Sequence, residues 1–213
     1  MADGVEYAAG KNFGKQAVDR FGKFDFLVNN AQVSKSGTML VDHSKEDFDL
    51  AIYSGLYATF FYMREAFPYL KETQGSVINF ASGAGLNGRL GQSSYAAAKE
   101  GIRGMTRVAA NEWGQYGINV NCVAPGGMVT PGAIFNNTTT AELYGPEWTR
   151  YVTEYGAGVP VAPNPDEIAR MILTLCTPVS DFMYGQTVEV DGGSQFSFQD
   201  KPWSYTMEGG LHA

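Results

Sequence analysis

Four short apolar runs punctuate the chain, each closing on small or polar residues: FDFLVNN (Phe24 to Asn30), GSVINFAS, INVNCVAPGG and QTVEVDGG. Runs of this length, rich in branched and aromatic side chains and bounded by turn residues, predict strands. Between them the apolar positions recur at helical spacing: Glu6 to Arg20, about Lys45 to Leu70, Ser93 to Trp113, and Pro165 to Thr174. The last has Asp166 and Glu167 just behind Asn164, where a helix start favours negative charge. Strands alternating with helices of this length imply right-handed crossovers and a parallel sheet covered on both faces. Ligands of such sheets gather at the carboxyl ends of the strands, and three of those ends read NNAQ, ASGAG and VAPGG. Each is small enough to bring backbone close to a ligand, and three such loops on one edge favour a site over plain turn chemistry.

Composition narrows the class without naming it. A chain of 213 residues fits one domain, or one domain and a tail, and can bury a substantial core. A formal net charge of −7 and the lack of any Lys/Arg stripe argue against a nucleic-acid partner. No apolar run is long enough to cross a bilayer, and the first residues, MADGVEYAAGKNFGK, lack the apolar centre of a signal peptide. A cytoplasmic protein is therefore expected. Cys122 and Cys176 each lie in an apolar segment and read as buried reduced thiols; His43 and His212 are isolated, so no metal site is expected.

The segment SSYAAAKEG places Tyr95 four residues before Lys99, on one side of a helix, with the ammonium near the phenolic oxygen. Spacing alone fits two arrangements: a proton-transfer pair, or a half-buried aromatic beside a solvated cation. The surrounding residues bear on that choice. From FGKFDFLVNNA through SVINFASGAGLNGRLGQSSYAAAKEGIRGMTRVAANEWGQYGINVNCVAPGGMVTP to YGQTVEVDGG, the chain resembles the short-chain dehydrogenase/reductase family in sequence, order and spacing over most of residues 14–193.

The resemblance implies that Ser82, Tyr95 and Lys99 are the catalytic serine, tyrosine and lysine, and that NAD or NADP is the cofactor. Hydride transfer between a secondary alcohol and a nicotinamide needs one proton to reach or leave the substrate oxygen, and an ordinary phenol is a poor base at neutral pH. A fixed ammonium at Lys99 is expected to draw the Tyr95 pKa down, while Ser82 holds the substrate oxygen. By the same resemblance Lys99 also binds the nicotinamide ribose. Asn29, Asn30 and Ala31 would stabilise the sheet and approach the adenosine side of the cofactor. Pro125, Gly126, Met128 and Thr130 would face the carboxamide and phosphates.

The chain departs from the family pattern in two ways. The family opens with a strand, a glycine-rich turn and a helix that receives the pyrophosphate; residues 1–23, which look like the helix before the family's fourth strand, carry no such unit. The expected fold is thus an incomplete Rossmann-like, doubly wound α/β sheet with the first three strands missing, and FDFLVNN should form a hydrophobic edge. A fragment of a complete enzyme, a partner chain covering the gap, and a rearranged N-terminus all accommodate this. Locally, Gln32 stands where glycine is usual. Gly55 stands where many members carry an asparagine that holds a water relaying protons to the lysine. Glycine within a helix costs about 1 kcal/mol relative to alanine, so a bend or a close contact is expected at Gly55.

One partial domain is expected over residues 1–196, with a substrate lid at 132–163 and a tail at 197–213. The lid carries Phe135, Tyr144, Trp148, Tyr151 and Tyr155, which suit an apolar or ring-bearing substrate or pack the lid itself. The tail, with Trp203 and Tyr205, could cross to a neighbour, close over the site or stay disordered. The resemblance further implies a homodimer or homotetramer. Two functions follow: an NAD(P)-dependent oxidoreductase interconverting a secondary alcohol and a ketone with Tyr95 as acid/base, or a non-catalytic subunit forming a hetero-oligomer with a complete, cofactor-binding chain.

Overall fold

The computed structural model describes residues 12–126, 142, 165–191, 204–206 and 210–212. Helix α1 (Phe13–Phe21) ends on Gly22, which takes a left-handed conformation (φ 82°) and donates its N–H to the Val18 carbonyl. Strand β1 (Phe26–Asn29) follows. Helix α2 (Lys45–Ala51) begins at Ser44, whose side chain accepts from the Asp47 N–H at 3.1 Å, and Glu46 and Asp47 add negative charge to its first turn.

The long Lys45 to Leu70 pattern is one continuous helical run, but it is not uniform. A π-helical turn, Ile52–Tyr57, joins α2 to α3 (Ala58–Thr73). Gly55 lies inside that turn, so the backbone irregularity expected from a mid-helix glycine takes the form of a widened turn. Strand β2 (Ser76–Phe80), the short helix α4 (Gly83–Asn87), helix α5 (Ser93–Trp113) and strand β3 (Asn119–Pro125) come next. Helix α6 (Pro165–Leu175) and strand β4 (Thr187–Val190) complete the α/β run.

The four strands pair in the order β1-β2-β3-β4, all parallel, with Asn29 opposite Asn79, Asn79 opposite Cys122 and Cys122 opposite Thr187. Helices cover both faces. On one side Leu27, Val77 and Val120 pack with Met63, Ala66 and Leu70 of α3 and Ala109 and Ala110 of α5. On the other, Ile78, Phe80 and Val123 meet Ile168 and Leu175 of α6. Strand β1 departs from this two-sided cover: Leu27 is buried, while Phe26 is 50% and Val28 43% exposed on the opposite face. Among the described residues β1 is a sheet edge.

Asparagine is a poor strand former, yet Asn79, Asn119 and Asn121 are all buried in strands. Hydrogen bonding resolves the conflict. Asn79 accepts from Asn29 Nδ2 at 2.8 Å and donates to Thr106 Oγ1 at 2.9 Å, tying β1, β2 and α5 together behind the strand ends. Asn119 donates to the Ser180 carbonyl and Asn121 to the Met183 carbonyl, which fixes the α6–β4 connection against β3. A buried amide with its partners in place specifies register as well as contributing stability.

The chain also forms a small antiparallel pair outside the main sheet, β5 (Ser204–Thr206) with β6 (Gly210–His212). Three-residue strands are shorter than the runs that periodicity detects, so none was expected there. Met128, Thr130 and the proposed lid at 132–163, apart from residue 142, lie outside the described residues. Among the described residues no helix is long and apolar enough to cross a membrane, and no group of His, Cys, Asp and Glu could hold a metal ion.

Candidate active site

The carboxyl end of β2 turns directly into the site. Ser82, in extended conformation (φ −161°), caps α4 by accepting from the Ala84 N–H at 3.2 Å, which holds the hydroxyl at the mouth of the strand. Tyr95, in the first turn of α5, is hydrogen-bonded to that Ser82 side chain. Lys99 follows one turn on. Only 4% exposed, it donates from Nζ to the Phe80 carbonyl at 2.9 Å and lies 5.4 Å from the centre of the Tyr95 ring.

Of the two arrangements open to the Tyr95 and Lys99 spacing, the solvated cation is therefore excluded: both groups turn inward to the end of β2. The expected effect of Lys99 on Tyr95 differs, however. Burial raises the Tyr95 pKa above the usual phenol value, and the Ser82 hydrogen bond offsets this in part. Burial also brings Lys99 down to about 8, with Cys122 acting weakly in the opposite sense. The ammonium directs one N–H to the Phe80 carbonyl and lies beside the ring, and in the protein alone desolvation is the dominant influence on Tyr95.

The other strand ends divide their labour. Asn29 turns inward to Asn79, whereas Asn30 and Ala31 are exposed at the edge where a ligand could reach them. At the end of β3, Pro125 and Gly126 are half-buried, and the Gly126 N–H donates to the Val190 carbonyl of β4 at 3.2 Å. The described site thus contains one hydroxyl, one phenol and one buried ammonium beside a rim of backbone and amide groups. That set can give or take one proton at an oxygen held by Ser82 and Tyr95.

The close contact expected at Gly55 is present, and its partner is the part the sequence did not indicate. The side chain of Gln32 lies against Gly55: a Cβ added there would come within 2.6 Å of Gln32 Cδ and Nε2. The only trace in the sequence was that both positions depart from the family pattern at once.

A family described as enoyl-(acyl carrier protein) reductase matches residues 5–195. A 12alpha-hydroxysteroid dehydrogenase from Clostridium sp. is 50% identical over 182 residues, covering 84% of this chain and 67% of that protein. A 3-oxoacyl-[acyl-carrier-protein] reductase from Thermotoga maritima is 35% identical over 180 residues, covering 84% of this chain and 69% of its own. In three dimensions the chain is similar to the crystal structure of levodione reductase, with a TM-score of 0.79 at 27% identity, over 90% of this chain and 74% of that one.

Proposed function

The chain belongs to the short-chain dehydrogenase/reductase family, and from that premise we propose that it interconverts a secondary alcohol and a ketone with NAD or NADP. The observation that carries the proposal is the convergence of Ser82, just past the end of β2, with Tyr95 and Lys99, both on α5. The substrate class we assign is an apolar, ring-bearing secondary alcohol. The hydroxysteroid dehydrogenase relative supports this, as does the aromatic content of residues 132–163.

The described residues fit the nicotinamide end of such a cofactor. An ammonium has three N–H donors and Lys99 commits one to Phe80, leaving donors for a ribose hydroxyl. When bound, the cofactor supplies or accepts the hydride. The chain's own part is the proton: in reduction Tyr95 donates its phenolic proton to the carbonyl oxygen as the C–H bond forms, and in oxidation it removes the hydroxyl proton. The raised Tyr95 pKa keeps that proton in place at neutral pH, which suits the reductive direction. Ser82 holds the oxygen in line, and Lys99 keeps a positive charge beside the ring.

A pH dependence follows. Lys99 carries its charge below about 8 and loses it above, whereas Tyr95 stays protonated to higher pH. Reductive turnover is therefore expected to decline as pH rises through about 8. An alkaline limb unmoved in Lys99→Arg, whose guanidinium stays charged, would assign that limb to another group.

We further place self-association on the α2–α3 run, where Tyr57 is 45% and Phe60 42% exposed beside the stacked Tyr53–Tyr57 pair. Cytoplasmic residence accords with two free thiols. The function is tested by titrating the 213-residue chain with NADH and NADPH, following nucleotide fluorescence and oligomeric state together. Saturable binding is expected for one nucleotide or both. A folded chain that binds neither would instead match the second reading, a subunit relying on a complete chain for cofactor.

A further inference from the structure

Helix α5 begins without a side-chain cap. Gln92, its N-cap residue, makes no capping bond, its first turn holds no acidic residue, and the buried Ser93 and Ser94 hydroxyls have no hydrogen-bond partner. The first N–H groups of a helix are commonly fixed by such a cap, as Ser44 does for α2 and Ser82 for α4. Tyr95 is the third residue of this uncapped turn, so the placing of its hydroxyl depends on what holds the chain just ahead of the helix.

That chain is held from outside. Immediately before the N-cap, the Gly91 carbonyl accepts from the Gly37 N–H at 2.7 Å. Both glycines have positive φ, 106° at Gly37 and 71° at Gly91, and the backbones approach so closely that a Cβ on Gly91 would lie 3.3 Å from the Gly37 carbonyl carbon. Gly37 is itself anchored. Ser36 beside it is buried, and the stretch from Gln32 is fastened to the long helix: Gln32 Nε2 donates to the Ala51 carbonyl at 3.3 Å, and the Ser54 hydroxyl of the π turn accepts from the Val33 N–H at 3.1 Å. Residues 32–38 therefore form a strap from the π turn to the start of α5. Gly85 of α4 leans on α5 further along, at Ala96 and Glu100.

We propose that the Gly37–Gly91 bond positions Tyr95: it fixes where α5 begins, and thereby whether the phenolic oxygen meets Ser82. The proposal rests on the reading of Tyr95 as the acid/base. Gly37 and Gly91 are positioning residues, acting through the first turn of α5. Ser82 and Lys99 face Tyr95, and Arg89 lies in the same loop as Gly91. Substituting either glycine alters none of these groups, so a moved Tyr95 titration reports a moved phenol.

The test reads Tyr95 by ¹⁹F NMR titration of the full chain labelled with 3-fluorotyrosine, whose more acidic phenol titrates in an accessible range. The Tyr95 signal is assigned by its loss in Tyr95→Phe. The Ser82 hydrogen bond holds the midpoint down, so Ser82→Ala should raise it by about half a pH unit. Gly91→Ala, whose Cβ presses on the Gly37 backbone, should raise it similarly, and should add nothing in the Ser82→Ala background, because both remove one contact. Gly88→Ala is the control. Gly88 lies in the same loop with φ 63° and nothing within 4 Å of a new Cβ, so the substitution brings comparable backbone strain without touching the strap, and the midpoint should stay. An unmoved midpoint in folded Gly91→Ala, or an equal rise in Gly88→Ala, overturns the proposal. Should Gly91→Ala not fold, Gly37→Ala, which strains the donor end, is read the same way. No turnover is needed, so an inactive chain would count against the acid/base reading of Tyr95 and leave the positioning test intact.

Discussion

Tyr95→Phe is expected to reduce turnover by about 10²- to 10⁴-fold, the range associated with a positioned general acid or base. The change removes one oxygen and leaves the ring in place over the Lys99 ammonium. What is lost is the proton donor hydrogen-bonded to Ser82, so the chemical step suffers and the architecture does not. Nucleotide binding should persist, since Lys99 keeps its hold on Phe80. Steady-state kinetics with a cyclic ketone, together with thermal unfolding of the same sample, separates the two effects. Turnover within a few-fold of wild type would remove Tyr95 from the mechanism; a large fall in unfolding temperature would make its role structural.

Gly75→Ala is expected to have the largest effect on stability, a loss of about 3 kcal/mol and a fall in Tm of roughly 10 °C. Gly75 joins the end of α3 to β2, where a Cβ would lie 2.2 Å from the Asp25 carbonyl oxygen and 2.8 Å from Leu70 Cδ2. The first obstacle is backbone and cannot rotate away. It is also pinned: the Asp25 carbonyl accepts from the Ser76 N–H at 2.9 Å, while Gly75 donates to Leu70 and accepts from Asn119. Relief would therefore require parting β1 from β2 or α3 from both. Gly104→Ala is the control, for Gly104 is exposed within α5 with nothing within 4 Å of a new Cβ, and the substitution should be neutral or stabilising by up to about 1 kcal/mol. Equal effects from the two would mean that backbone entropy, rather than the Asp25 clash, governs position 75.

The strands and the long helices were legible because their patterns are local. FDFLVNN, SVINF, NVNCVAP and TVEV each carry a bounded apolar run, and each forms one strand of the sheet. Helix α5 runs over the residues its periodicity marks, Ser93–Trp113. The candidate site was legible through the family resemblance: Tyr95 and Lys99, four apart on one helix, fit two arrangements by spacing alone, and it is the resemblance that joins Ser82 to them. What periodicity could not supply was the interior of the long helix. Apolar spacing is nearly the same for an α and a π turn, so nothing local announces that Ile52–Tyr57 is widened. Nor could spacing weigh burial against charge, and so the direction of the Tyr95 shift opposed the expectation.

Sequence by itself determined the element order, the parallel α/β class and the residue types brought to the strand ends, since each depends on short-range periodicity and on the topology it permits. Tertiary structure decided three further matters. It turned Lys99 inward, where desolvation lowers its pKa to about 8 and raises that of Tyr95. It met the strand asparagines with partners as distant in sequence as Asn29 from Asn79 and Asn121 from Met183. It also joined Gln32 to Gly55, two positions that are unrelated along the chain and occupy one volume in space. The physical reason is common to all three: solvent exclusion and contact across long sequence separation belong to the packed chain and to no segment of it.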